Sequence, residues 1–345
     1  MTLSLVIPVF NEADVLPLTV ERLRPVLARM PCDHELVFVN DGSSDRSFEF
    51  LAAEAAMDPR VKVLNFSRNF GHQVAITAGL DFATGDAIVI MDADLQDPPE
   101  LLPRMFALYQ EGYDVVSPRR ISRATDSWFK RKTAGLFYSL LQTVAEVHIP
   151  PEVGDFRLLS RNAVRALRRL REQHRFMRGM ISWLGLREAF LPFEREARAA
   201  GETKYPLWKM LHFSWTAVTS FSAMPLRMTI TFGLLAVAVA GGYLLYALRQ
   251  AILYKHAVAG WTSLVFLQCF FFGITLICVG LMGEYVARIY EESKRRPLYV
   301  VDRALNLSYP SEPARMVVLE PRVNAEPADP ALAALRQEIS SPSLK

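Results

Sequence analysis

Short apolar runs alternate with amphipathic stretches over residues 1 to about 120. "LSLVIPV" (3–9), "HELVFVN" (34–40), "VKVLNF" (61–66), "DAIVIMD" (86–92) and "DVVSP" (114–118) are brief and rich in Val and Ile, which predicts strands. Between them, "VLPLTVERLRPVLARM" (15–30), "DRSFEFLAAEAAM" (45–57) and "GHQVAITAGLDFAT" (71–84) carry helical spacing. Strand, helix, strand, helix predicts an α/β domain with a mostly parallel sheet covered on both faces. Ligands of such sheets bind at the carboxyl ends of the strands. Two acidic stretches fall there, "NDGSSD" (40–45) and "DADLQD" (92–97). The first has Ser and Asp where a helix cap is expected.

The texture then changes. Residues 121–205 are more basic, and "GDFRLLSRNAVRALRRL" (154–170) predicts a short strand running into a helix. Residues 206–226 mix Trp208, Phe213 and Trp215 with Lys209 and His212, the pattern of an interfacial amphipathic helix. Two long apolar segments follow, 228–254 and 261–287. Each exceeds the roughly 20 residues that cross a bilayer, with expected spans at about 228–250 and 262–286. The connector "KHAVAG" is short, which predicts a hairpin. Lys204, Lys209 and Arg227 precede it, and Arg288, Lys294, Arg295 and Arg296 follow it. By the positive-inside rule, both ends are expected on the cytoplasmic side of a plasma membrane. Residues 291–345 are expected to be a cytoplasmic tail, Pro-rich and disordered from about 305. The expected organisation is therefore an α/β unit at 1–205, an interfacial helix at 206–226, a membrane hairpin at 227–290 and a tail.

Composition narrows the class. The net charge of +3 is too small to argue for nucleic acid, while the 51% apolar content is high for a soluble chain of 345 residues. Cys32, Cys269 and Cys278 have no paired or metal-ligand spacing, which excludes a disulfide framework and a zinc site. The first residues, "MTLSLVIPVFNE", lack the basic start and cleavage site of a signal peptide.

The chemistry concentrates in "IVIMDADLQDPPELL". Asp92, Asp94 and Asp97 repel one another unless something neutralises them. Asp97 is explained as a helix cap before Pro98 and Pro99. Asp92, Asp94 and Gln96 suit a hard divalent cation, Mg²⁺ or Mn²⁺, which also binds phosphates.

With "VIPVFNEADVL" (6–16), "VNDGSSDRS" (39–47), "RNFGHQVAITAGLDFATGD" (68–86) and "MDADLQDPPELL" (91–102), the chain resembles family 2 inverting glycosyltransferases of GT-A fold. Within them it looks like the polyprenyl-phosphate glycosyltransferases, which include dolichyl-phosphate mannosyltransferase and the bacterial bactoprenol glucosyltransferases. "DSWFKRKTAGLFYSLL", "GDFRLLSR", "AGETKYPL" and "GLMGEYVARIYEESKRRPLYVV" fit the bacterial branch. The resemblance covers residues 3 to about 302. It implies that Pro8, Glu12 and Asp41 hold the donor nucleoside, that Asp92 lies near the diphosphate, and that Asp94 and Gln96 bind the metal. Arg131 would meet the lipid phosphate, with Arg119 and Lys132 as further contacts. Arg157, Arg198 and Lys204 would meet phosphates of donor or acceptor, and Asp155 is the acid on the acceptor side. A solvated basic helix face and a structural turn are the plain alternatives for these cations and for Asp155.

The implied reaction moves a sugar from a nucleoside diphosphate, UDP-glucose first, to undecaprenyl or another polyprenyl phosphate. UDP-N-acetylglucosamine, UDP-4-amino-4-deoxy-arabinose and GDP-mannose are alternative donors, and a non-catalytic membrane scaffold is the alternative class. A processive polysaccharide synthase would carry Q-x-x-R-W, whereas Gln173 is followed by "HRFMRGMISW". The resemblance also implies a homotetramer.

Overall fold

A computed structural model of the chain describes residues 1–120, 150, 153–193, 224–254, 260–307 and 316–318. Its strands are β1 (Thr2–Val9), β2 (Asp33–Asn40), β3 (Val61–Phe66), β4 (Ala87–Ile90), β5 (Val115–Arg120), β6 (Arg157–Ser160), β7 (Glu188–Phe193), β8 (Tyr299–Leu305) and β9 (Met316–Val318). The helices are α1 (Leu16–Leu27), α2 (Ser47–Met57), α3 (His72–Phe82), α4 (Leu102–Gln110), α5 (Arg161–Arg169), α6 (Met177–Trp183), α7 (Met224–Tyr254) and α8 (Trp261–Ser293). The strands join one sheet in the order β7-β5-β6-β4-β1-β2-β3-β8-β9.

The four N-terminal strands are parallel, β1 beside β2 and β4, and β2 beside β3. The sheet is mixed beyond them, because β6 and β8 run antiparallel to β4 and β3. Continuous apolar runs suit strands buried on both faces. Along β1, Leu3, Leu5, Ile7 and Val9 pack with Leu16, Val20 and Leu23 of α1 and Leu51 of α2. Val6 points to the other face, with Ile76 and Leu80 of α3 and Val164 and Leu167 of α5. Gly79 lets α3 lie close on that face, since a Cβ there would meet Val6 Cγ1 at 2.2 Å.

Chain order reverses at β1. β2 and β3 step to one side of it, and β4 lies on the other. β1 pairs β4 only as far as Val6–Ile90, yet pairs β2 as far as Val9–Asn40. A crevice therefore opens beyond Val6 and Ile90, at the switch point where open α/β sheets bind ligands.

Two expectations about helix starts are corrected. The N-cap position of α2 is Arg46, whose side chain makes no cap bond; Asp45, one residue earlier, accepts the N–H of Ser47, the first helical residue, at 3.0 Å. Asp97 caps no helix: the 3-10 turn Pro99–Leu101 starts after Pro98, and neither it nor α4 has a side-chain cap.

The expected tail is also corrected. Residues 299–305 form β8, antiparallel to β3, and β9 pairs with β8. The sheet thus takes strands from beyond the apolar helices, so its unit does not close at 205. Tyr299 fixes the return: it is fully buried, its ring stacks on Phe66 at 5.2 Å, and its hydroxyl donates to Asp81 at 2.8 Å. Burial, and then Asp81, push the Tyr299 phenol well above its usual range. Arg171 closes the contact with two 2.8 Å hydrogen bonds to Asp81. The remaining residues of the tail lie outside the described ones, as does the expected interfacial helix up to residue 223.

α7 and α8 contain apolar stretches at Leu226–Tyr246 and Phe266–Ser293, with mean hydropathy 1.9 and 2.1. At about 1.5 Å per residue, each is long and apolar enough to cross a bilayer of roughly 30 Å. Leu234, Val237, Leu245, Phe266 and Ile277 are among their exposed side chains. Such a surface is costly in water and ordinary in lipid.

Candidate active site

The crevice is walled by the loop after β1. Pro8 is buried near the strand end, paired with Val39. Asn11 adopts a left-handed φ of 56°, and its Oδ1 accepts the Ser44 N–H at 2.8 Å. The Glu12 N–H donates to Ser47 Oγ at 3.0 Å. Asp41, at the end of β2, is buried. Its two oxygens accept the Phe70 and Gly71 N–H groups at 2.6 and 2.9 Å. Burial pushes its carboxyl up, although those amides pull the other way. Gly42 is required here: φ is +64°, and a Cβ would lie 2.4 Å from the Arg68 carbonyl carbon.

The opposite wall is the turn after β4. Asp94 is buried, and its Oδ1 accepts the Gln96 N–H at 3.1 Å. Leu95 between them has a φ of 60°, a conformation that costs a side-chain-bearing residue about 1–2 kcal/mol. The Asp97 carboxylate reaches back to the Asp92 N–H at 3.5 Å. The turn is held in a strained shape that keeps Asp92, Asp94 and Gln96 together.

A third group of side chains meets this turn from α3, the start of β6 and α6. His72 Nε2 lies 3.6 Å from Asp92 Oδ1 and 3.6 Å from Asp155 Oδ2. Arg178 donates to both Asp155 oxygens, at 2.8 and 3.4 Å. Gln73 Nε2 donates to Asp155 Oδ2 at 3.3 Å. Antiparallel pairing explains the placement: Arg157 sits opposite Ile90, so residues just before β6 lie beside those just after β4. Burial by itself would raise the Asp155 carboxyl, but Arg178 and His72 outweigh it and hold it far below the usual range. Burial would lower His72, yet Asp155 and Asp92 raise it. Arg157 is almost wholly buried, which lowers its guanidinium to about 10, and it donates to the Gly154 carbonyl at 2.8 Å.

The donor set bears on a divalent cation. Among the described residues, no three His, Cys, Asp or Glu side chains are grouped to hold a metal unaided. Asp94 and Gln96, with Asp92 beside them, offer hard oxygens on one turn at the crevice edge. That suits an ion taking its remaining ligands from water and a diphosphate, as Mg²⁺ does. It does not suit a protein-caged ion.

Residues 4–168 match the family model described as Glycosyl transferase family 2. The chain is 45% identical over 304 residues to the uncharacterized glycosyltransferase YkcC of Bacillus subtilis (strain 168), covering 88% of this chain and 94% of that one. The chain belongs to glycosyl transferase family 2. Its relatives within the family include a prophage bactoprenol glucosyl transferase homolog of Escherichia coli (strain K12), 41% identical over 303 residues, covering 88% of this chain and 99% of that one. A solved glucosyl-3-phosphoglycerate synthase from Mycobacterium tuberculosis with uridine-diphosphate is 19% identical, covers 63% of this chain and 79% of that one, and gives a TM-score of 0.46. The chain is a glycosyltransferase.

Of the residues singled out by sequence, the fold of this glycosyltransferase places Pro8, Glu12, Asp41, Asp92, Asp94 and Gln96 at or just after the carboxyl ends of β1, β2 and β4, around the switch point. It adds Asp155 beside Asp92 through His72. Arg157 is packed behind them, and Arg119 is exposed late in β5. Arg131, Lys132, Arg198 and Lys204 lie outside the described residues. Sequence reading missed His72, Gln73 and Arg178. His72 and Gln73 stand inside a quoted motif, and Arg178 inside "RFMRGM", but no local pattern marks them as partners of Asp92 and Asp155.

Proposed function

We propose that this glycosyltransferase moves a sugar, with inversion, from a nucleoside diphosphate to a polyprenyl phosphate. The observation that carries the reading is the meeting of the Asp92–Gln96 turn with the His72–Asp155–Arg178 cluster at one crevice, in a chain that also bears two apolar helices. The bactoprenol acceptor named for the relatives supports the lipid. UDP-glucose is the first donor to test.

Pro8, Glu12 and Asp41 would line the nucleoside side, and Asp92 the diphosphate. Asp94 and Gln96 would hold Mg²⁺ or Mn²⁺, which when bound neutralises charge on the leaving diphosphate. A lipid phosphate oxygen attacks the anomeric carbon, and the nucleoside diphosphate leaves from the opposite face. The nucleophile is already anionic at neutral pH. Asp155, held ionised by Arg178, is a poor proton acceptor and is not needed as one. The protein's task is to bring two anions into line and to offset their repulsion. Arg131, Lys132 and Arg119 are assigned to the lipid phosphate, and Arg198 and Lys204 to phosphates of donor or acceptor. α7 and α8 would hold the chain in the bilayer with both ends cytoplasmic.

The test uses full-length protein in detergent, isotope-labelled UDP-glucose and undecaprenyl phosphate. Label is expected in the organic phase only when the lipid phosphate is present. Label from GDP-mannose or another nucleotide sugar alone would move the donor assignment. No transfer from any nucleotide sugar would sink the reading and favour a scaffold.

A further inference from the structure

Asp155 is placed by groups that trace back to the end of the second apolar helix. The segment Gln173–Arg178 links them. At its far end, the Gln173 N–H donates to Glu292 Oε2 at 2.9 Å, and Gln173 Nε2 donates to the Arg296 carbonyl at 2.7 Å. His174 Nε2 lies 2.7 Å from Glu291 Oε2. At its near end, the Met177 N–H donates to Gln73 Oε1 at 2.8 Å, while Gln73 Nε2 donates to Asp155. Arg178, the next residue, forks onto the same carboxylate.

The stretch between these ends has little room to give. Arg175 is buried and donates to the Leu170 carbonyl at 2.8 Å, folding the segment on itself. Phe176 and Met177 are buried, and Met177 packs with Ile76 and Leu80 of α3. Packed interiors transmit displacement rather than absorb it. Six residues, Gln173–Arg178, therefore join the last turn of α8 to the carboxylate beside the acidic turn.

We infer that Arg178 is a positioning residue for Asp155, and that Glu292 of α8 sets its place through Gln173 and Met177. The inference rests on the transfer reaction proposed above. Arg178 acts through Asp155, and Glu292 acts through the Gln173–Arg178 segment. The end of a helix long enough to cross a membrane thereby fixes the geometry of the crevice. Angular errors in a site of this kind cost rate rather than ground-state binding, and a 1 Å misplacement can cost about 100-fold.

The experiment compares Glu292→Ala, Glu292→Gln and Arg178→Ala with the wild-type full-length protein in detergent. Glu292→Ala is expected to lower kcat about tenfold, with the donor KM unchanged within about twofold. The amide carbonyl of Glu292→Gln still accepts the Gln173 N–H, so this variant should recover most of the loss. Arg178→Ala should lose about 100-fold in kcat. A second readout needs no turnover: hydrogen exchange at the Met177 amide should quicken in Glu292→Ala, while the amides of β1 keep their rates. If the wild type transfers no sugar to lipid phosphate, the proposed reaction fails, and the Met177 exchange alone decides the coupling. Unchanged exchange at Met177, an unchanged kcat in Glu292→Ala, or a Glu292→Gln as impaired as Glu292→Ala overturns the inference.

Discussion

Two acidic loops flank the end of β1, Asn40–Asp45 at the end of β2 and Asp92–Asp97 after β4. By composition they are alike. Their carboxylates are used differently. In the first, Asp41 takes two backbone N–H groups from residues 70 and 71, and Asp45 takes those of Ala13 and Ser47. Ser43 accepts the Asn11 N–H. That loop stitches three strand ends together. In the second, Asp94 takes one amide from its own turn, and Asp92 faces the ring of His72. Acid density at a strand end therefore does not distinguish a structural knot from a ligand site. What distinguishes them is where the complementary groups come from. Amides of the next loop bind the first, and side chains that can also meet an anion surround the second.

Removing a charge from each loop separates the two roles. Asp94→Asn keeps an oxygen for the Gln96 N–H but loses the anion. Transfer should fall by at least about 1,000-fold, with the thermal midpoint within about 2 °C of wild type. Excess chelator should abolish wild-type transfer, and Mg²⁺ or Mn²⁺ should restore it. Substantial turnover in chelator would end the metal assignment, and a large drop in midpoint would make the second loop a knot as well.

Asp41→Ala is the converse. It leaves two amides without their acceptor in a buried place, which costs about 2–3 kcal/mol. The midpoint without nucleotide should drop by roughly 5–10 °C. Scanning calorimetry of the two proteins checks this. If the midpoint holds while the donor KM rises, Asp41 serves the donor alone and the two amide contacts carry no stability.

Why the first loop is so knotted explains what could be read from sequence. β1 to β5 were legible because buried parallel strands are unbroken runs of Val, Ile and Leu, and the acids follow them directly. β8 was not. "LYVVDRAL" follows a charged helix end and looks like the start of a tail; only the open edge of β3 makes it a strand, and that edge lies more than 200 residues earlier in the chain. The cluster was half legible for the same reason. Asp92 and Asp94 announce themselves by proximity. His72 and Arg178 acquire meaning only when β6 runs antiparallel to β4 and α3 begins beside both. A single His after Gly71 carries no pattern of its own. Asp97 misled because Asp before Pro-Pro is a common helix entry, and here its carboxylate turns back to Asp92 instead.

The smallest expected effect concerns His72, whose ring faces the second loop and whose charge also reaches Asp41 of the first. Asp155 and Asp92 raise its pKa above the ordinary value of about 6.5. A raised imidazole gives stability that is fully present below the unfolded pKa and is lost as pH rises through the folded one. The groups facing it are Asp92 and Asp155, with Arg178 opposing. Its side chain is 44% exposed, so solvent screens these contacts and the contribution stays below about 1 kcal/mol. The midpoint of the wild type should exceed that of His72→Asn by roughly 1–3 °C near pH 6. The gap should close as the pH approaches 9. Unfolding curves of both proteins at half-unit pH steps check this. A gap that is flat across the range would mean that His72 contributes by packing alone, and that the charge balance around Asp92 and Asp155 is carried by Arg178.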